Sequence, residues 1–261
     1  MRLSIIAPVA LAVAPALVSA AGSLGFALGD VNPDGSCKQQ SDYEADFDAI
    51  AANSAARIVR GYAASECNTA QNILPAAKAK GFQVILGIWY LLHFMSSRLD
   101  TDATNHRPDT DESYHNDLTA ITTYAPQYQD VVYAVTVGSE TLYRGNFTGP
   151  QLLEKIQAVK SAVSWAKVGT ADSWNRYADG TADAVIQGNP DILLVNAFGY
   201  WQGDPIDNAT HQYFDDIMQA YQHIRGIAGS NSNIELWTGE TGWPTDGTAF
   251  HLYLQNAMAD M

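Results

Sequence analysis

Short apolar runs alternate with longer amphipathic stretches along nearly the whole chain. The runs at 24–28, 56–63, 83–89, 131–137, 166–171, 192–198 and 234–237 read as strands. Between them, 42–53 repeats Tyr43, Phe47, Ile50 and Ala51 at helical spacing. The stretches 65–80 (closed by Gly81), 113–124, 181–187 and 207–225 also predict helices. Thr148-Gly149-Pro150 opens another, which runs to about Ser164, with Pro150 placed for a first turn. The strands are apolar throughout rather than alternating, as expected when both faces are covered. Strand–helix alternation with short loops points to a parallel sheet with helices outside it. No side-chain repeat of about 20 to 50 residues recurs, and no linker interrupts the rhythm, so one domain is expected.

Two strand ends carry candidate chemistry. The last run leads into Trp237-Thr238-Gly239-Glu240-Thr241-Gly242-Trp243-Pro244. Glycines let another molecule approach the backbone closely, and Pro244 stops the ladder. A carboxylate beside an indole face suits a sugar ring, although a solvated surface turn accounts for this stretch alone equally well. The run at 131–137 ends in Gly138-Ser139-Glu140. Two strands thus deliver one Glu each at the C-terminal end, the end that carries the active site in a (β/α)8 barrel. Paired carboxylates across a glycosidic bond are the usual equipment of glycoside hydrolases.

The remaining chemistry narrows the field. In a chain of 261 residues, Arg2, the apolar run 5–18 and Val18-Ser19-Ala20 have the form of a secretory signal peptide over 1–20. That run is too short for a good membrane span. A net charge of −14 argues against nucleic acid and anionic membranes as partners and is compatible with a secreted protein acting on a neutral polymer. Cys37 and Cys67 are the only cysteines. In an oxidising compartment an even pair predicts one disulfide, with two free thiols as the alternative. The sequons at Asn146 and Asn208 fit secretion and surface loops. The histidines form no ligand set, no glycine loop follows a strand to cradle phosphate, and no Ser elbow is present, so no metal or cofactor is implied.

Several motifs in order carry a resemblance. Val137-Gly138-Ser139-Glu140, Gly169-Thr170-Ala171-Asp172-Ser173-Trp174, Val195-Asn196-Ala197-Phe198 with Tyr200-Trp201, and Thr238 to Pro244 resemble glycoside hydrolase family 17. The branch is the fungal cell-wall β-1,3-glucanases and glucanosyltransferases, which Pro33-Asp34-Gly35-Ser36-Cys37 and Glu66-Cys67-Asn68-Thr69 also resemble. The resemblance implies a TIM barrel, β-1,3-glucan as partner, and a secreted, cell-wall location. It also implies an acid/base on the fourth strand and a nucleophile on the seventh. Counted by pattern, those strands end at Glu140 and Glu240. A retaining enzyme needs the two carboxyl groups about 5–5.5 Å apart. Tyr62, Ser139, Asp172, Trp174, Asn196, Tyr200, Trp201 and Trp243 are candidate substrate contacts. For Tyr62 and the tryptophans, core packing is the rival reading. For Asp172, Asn196 and Tyr200 it is loop hydrogen bonding. Asp109, Asp111 and Glu112 serve equally as caps for the helix after them.

Two departures from the family pattern change the expectation. Trp89 should lead almost directly into Pro108-Asp109, but the segment 90–107 intervenes, beginning with apolar Tyr90-Leu91-Leu92-His93-Phe94-Met95 and then losing pattern. It reads as an intron retained and translated in frame. Residues 248–261 do not match the pattern, which calls for a further helix, an eighth strand and a final helix. The expected architecture is therefore a TIM-type barrel over 21–247, truncated before strand eight. A complete barrel would be a monomer, whereas open edges invite association. The expectation is a poorly soluble or inactive chain, and the alternative function is an impaired glucan-binding or wall-structural protein.

Overall fold

The computed structural model describes residues 24–90, 111–229 and 232–244. The expected signal peptide 1–20, nearly all of the segment 90–107, Asp109 and the tail 248–261 lie outside the described residues. Seven strands follow one another in a single parallel sheet: β1 (Gly25–Ala27), β2 (Ile58–Arg60), β3 (Gln83–Ile88), β4 (Val132–Ser139), β5 (Lys167–Ser173), β6 (Ile192–Asn196) and β7 (Glu235–Glu240). The helices α1 (Gln40–Asn53), α2 (Thr69–Lys80), α3 (Asp111–Tyr124), α4 (Gly149–Ala162), α5 (Trp174–Ala178), α6 (Asp183–Gln187) and α7 (Ala209–Ala228) lie between the strands in sequence. This is a nearly closed TIM-type barrel without an eighth strand among the described residues.

The structure differs from the pattern mainly at element ends. The strand expected over 56–63 shrinks to Ile58–Arg60, because the chain turns at Gly61 to bring Tyr62 over the barrel mouth. The helix expected from 65 begins with a separate 3-10 turn, Glu66–Asn68, where Cys67 and Asn68 adopt positive φ. The short helix α5 was not anticipated, since five residues are too few to display a helical period. Strand β7 runs on to include Glu240, which pairs in register with Asn196.

Two packed layers follow from the apolar strands. Outward side chains such as Val59, Val84, Leu86, Val135 and Val168 meet Phe47, Ile73, Leu74, Ile121, Leu152 and Ile156 of the helices. Each such side chain contributes roughly 1.5–3 kcal/mol on burial. Inward side chains form a smaller cluster of Ile58, Ile85, Ala134, Ala171, Ile192 and Leu194, with Tyr133 and Trp237 against it. At the N-terminal end of the barrel, Glu235 accepts from Tyr133 Oη at 2.7 Å and from Lys167 Nζ at 2.5 Å, tying β7 to β4 and β5 across the interior.

Strands β1 and β7 each have one hydrogen-bonded neighbour among the described residues. A cavity of about 1000 Å³ lies along that seam, reaching from Leu24 and Glu235 to Tyr62 and Glu240. Leu24 and Phe26 are exposed beside it.

Cys37 and Cys67 form a disulfide with Cα atoms 5.1 Å apart, joining the loop after β1 to the turn after β2. It closes a loop of sequence separation 30. Chain-entropy arithmetic for a loop of that size gives about 3.5 kcal/mol. Replacing both cysteines by alanine is expected to lower unfolding free energy by about that amount in urea titrations. An unchanged midpoint and slope would contradict this.

Candidate active site

The C-terminal ends of β2, β4, β6 and β7 converge on one cluster. Arg60, the last residue of β2, is 4 % exposed. Its Nη1 lies 2.7 Å from Glu240 Oε1 and 3.3 Å from the Gly239 carbonyl oxygen, and its Nη2 donates to Ser139 Oγ at 3.0 Å. The Tyr62 ring lies over the guanidinium at 4.9 Å. A buried cation is tolerated when it is paired and its donors are used. Here one side chain grips β7 and the residue just before Glu140.

Local geometry sets each carboxylate. The register between β4 and β5 shifts between Thr136 and Ser139, with Gly138 at φ +80. Such an irregularity re-aims the strand end. Glu140 follows with φ +56, a left-handed conformation uncommon outside glycine. Its amide donates to Ala171 O at 2.9 Å, and its Oε1 accepts from Asn196 Nδ2 at 3.3 Å. Its Oε2 meets the half-exposed Arg144 at 2.9 Å. Before Glu240, Gly239 is required sterically. A Cβ there would stand 2.5 Å from Asn196 Oδ1, 2.9 Å from Leu194 Cβ and 3.3 Å from Arg60 Nη1.

The other expected contacts separate into three positions. Asn196 and Ser139 are buried and bond within the cluster. Tyr62 is half-buried, and desolvation together with the neighbouring Glu240 carboxylate pushes its hydroxyl up to about 12. Asp172 is fully buried. It accepts from the amides of Leu142 at 2.8 Å, Tyr143 at 3.1 Å and Ser173 at 2.8 Å. It thus lies beneath the loop that follows Glu140, which is the loop-hydrogen-bonding arrangement.

Aromatic side chains stand on two sides. Tyr200 makes edge contacts with Trp201 at 4.8 Å and Trp243 at 5.4 Å, and Trp201 is 63 % exposed. Tyr62 meets Trp89 edge-on at 5.9 Å. Trp174 instead packs half-buried against the core. Asn146 and Asn208 are half-buried in loops, with Asn208 bonded to Asp204. Arg60, Trp89 and Arg144 were not singled out from sequence. Arg60 had a signal available, because an arginine that ends an apolar strand needs a buried anionic partner.

Comparison with known proteins gives the family. The model of the BtgE/BtgC glycoside hydrolase domain matches residues 25–259. The chain belongs to the BtgE/BtgC glycoside hydrolase family. This family member is 51 % identical over 247 residues to a glucan 1,3-beta-glucosidase of Arthroderma benhamiae, covering 95 % of this chain and 74 % of that one. It superposes on the glycoside hydrolase family 17 beta-1,3-glucanosyltransferase of Rhizomucor miehei with a TM-score of 0.66 at 31 % identity, covering 87 % of this chain and 74 % of that one. An active-site mutant of the same Rhizomucor miehei enzyme, in complex with laminaritriose, gives 0.64 at 31 % identity, with 86 % and 73 % covered. Among the described residues of this glycoside hydrolase, no group of His, Cys, Asp or Glu could hold a metal ion, and no helix is long and apolar enough to cross a membrane.

Burial lifts the Asp172 carboxyl from its ordinary 3.8 to about 6, with Glu140 adding to the rise and three amide donors opposing it. The folded chain therefore keeps that proton to a higher pH than the unfolded chain. This contribution to stability is present at low pH and is lost as pH rises through about 6. The wild type is expected to gain about 2 kcal/mol relative to Asp172→Asn on going from pH 7 to pH 4. Urea midpoints at both pH values check it, and a pH-independent difference between the two proteins would contradict it.

Proposed function

We propose that this chain is a retaining β-1,3-glucan hydrolase or transglycosylase of the fungal cell wall, with Glu140 as acid/base and Glu240 as nucleophile. The observation that carries the reading is the single guanidinium of Arg60 bridging Glu240 and Ser139, the residue before Glu140. Asn196, which donates to Glu140, is also the register partner of Glu240, so one short strand end spans both carboxylates. The names of the Arthroderma and Rhizomucor relatives and the laminaritriose complex support the substrate class. The disulfide fits an oxidising, extracellular setting.

In this reading the two carboxylates act in turn. Glu140 gives its proton to the glycosidic oxygen as that bond breaks. Glu240 attacks the anomeric carbon from the opposite face, and the glycosyl–enzyme ester forms. Glu140, now a carboxylate, takes a proton from water or from a sugar hydroxyl, which displaces Glu240 and restores the β configuration. Arg60 balances the Glu240 carboxylate between turnovers. The two aromatic groups, Tyr62 with Trp89 and Tyr200 with Trp201 and Trp243, offer faces on which sugar rings stack. Water as acceptor gives hydrolysis, and a second glucan end gives transfer.

Azide rescue separates the two roles. The wild type is expected to release oligosaccharides from laminarin, and Glu140→Ala and Glu240→Ala each to lose at least about 10³-fold in kcat. With azide, Glu240→Ala should form the α-glycosyl azide, because azide replaces the nucleophile. Glu140→Ala should form the β-glycosyl azide, because azide attacks the glycosyl–enzyme. The opposite pairing would reverse the assignment. Laminarin binding without cleavage by the wild type would favour a glucan-binding protein.

A further inference from the structure

We propose that Asp117, on α3, is a positioning residue for the Tyr62–Trp89 wall of the cleft, an inference that rests on reading the barrel mouth as a glucan site. Asp117 is 1 % exposed. Its Oδ1 accepts from the Ser65 amide at 2.7 Å and the Ser65 hydroxyl at 2.6 Å. Its Oδ2 accepts from the Trp89 amide at 2.7 Å. One carboxylate from an outer helix therefore joins the loop after β2 to the residue after β3.

Those two loops carry the wall. Tyr62 and Trp89 meet edge-on at 5.9 Å, and Tyr62 lies over the guanidinium that holds Glu240. The Trp89 bond is thus linked through Tyr62 and Arg60 to Glu240, and the Ser65 bonds hold the loop that carries Tyr62. Asp172 works in the same way on the next strands: it takes Leu142 and Tyr143 from the loop after β4 and Ser173 from the end of β5. The two buried acids divide the rim between them, one under the aromatic wall and one under the loop of Glu140.

The chemistry calls for a carboxylate rather than any buried side chain. Three donors converge on Asp117, and an ionised carboxylate is acceptor-only. An amide of the same shape must turn its NH2 toward one of those donors. Burial raises the Asp117 carboxyl above its ordinary range, and the Ser65 and Trp89 bonds oppose that rise. Holding α3 against the barrel does not require this charge, since Tyr114 and Ile121 on the same helix are already in the core.

The test is kinetic and structural. Asp117→Asn is expected to raise KM for laminari-oligosaccharides about tenfold and to change kcat less than about threefold, because the displaced wall binds sugar but does no proton transfer. Trp89→Ala should give a similar KM, and Asp117→Asn in that background should add little. If Asp117→Asn does not fold, Ser65→Ala, which removes only the hydroxyl donor, should still raise KM by a smaller factor. Unchanged KM in the folded variants, or full additivity with Trp89→Ala, would overturn the proposal. Amide hydrogen exchange needs no substrate. Selective loss of protection at Ser65 and Trp89 in Asp117→Asn supports the clamp, and uniform loss or no loss contradicts it. A wild type that cleaves no glucan would defeat the glucanase reading and leave the exchange result to decide the clamp.

Discussion

A buried positive charge organises the mouth of this barrel. The Arg60 guanidinium is nearly inaccessible to water, so its charge has to be answered inside the protein; its two Nη atoms are bonded there, while Nε has no hydrogen-bond partner. Glu240, the Gly239 carbonyl and Ser139 take three of those bonds, and the Tyr62 ring covers one face. Removing Glu240 would leave the guanidinium without its countercharge in a low-dielectric site. The constraint fixes β2, β4 and β7 relative to one another at the end where the two glutamates emerge, and the side chains around it are shaped to permit it. Gly239 lacks a Cβ where one would press on Asn196, Leu194 and Arg60. Glu140 adopts a left-handed backbone that the Asp172-held loop supports.

The seventh strand shows how the pieces depend on one another. It has a single ladder neighbour among the described residues, so half of its backbone edge gains nothing from the sheet. Side chains at its two ends compensate. Glu235 is held by Tyr133 and Lys167 at one end of the barrel, and Glu240 by Arg60 at the other. The apolar seam between β1 and β7 runs between these two ties. The ties at the two ends are therefore the same kind of interaction, a carboxylate on β7 answered by a cation across the interior. A strand fixed in this way can hold the Glu240 carboxylate in place even where its outer edge has no ladder partner among the described residues.

The sequence made the fold legible because its strands are continuous apolar runs and its helices are amphipathic, so two periods alternate along the chain. The positions of Glu140 and Glu240 were legible for a related reason: a polar residue that ends an apolar strand must lie at a rim. Both fall at the C-terminal ends of β4 and β7. The supporting network was harder to read. Arg60 ends a strand that the pattern drew too long, and its partners come from residues 79 and 180 positions away. Asp117 sits in a helix where a solvated face would be the ordinary reading, and only the three-dimensional meeting of Ser65 and Trp89 gives it a role. Asp172 was visible as a strand-end acid, but which way its oxygens face depends on the loop folding over it. Long-range convergence of polar groups leaves no period in a sequence, whereas burial of apolar ones does.

The central claim is that Arg60 and Glu240 are energetically coupled across the barrel, so that the cation holds the Glu240 carboxylate in place. A double-mutant cycle measures this directly, using urea unfolding of the wild type, Arg60→Met, Glu240→Gln and the double variant. The account predicts that Arg60→Met alone is strongly destabilised and that adding Glu240→Gln restores part of the loss, with a coupling of at least about 1 kcal/mol. Strictly additive losses would contradict it, because the two charges would then be neighbours without holding each other.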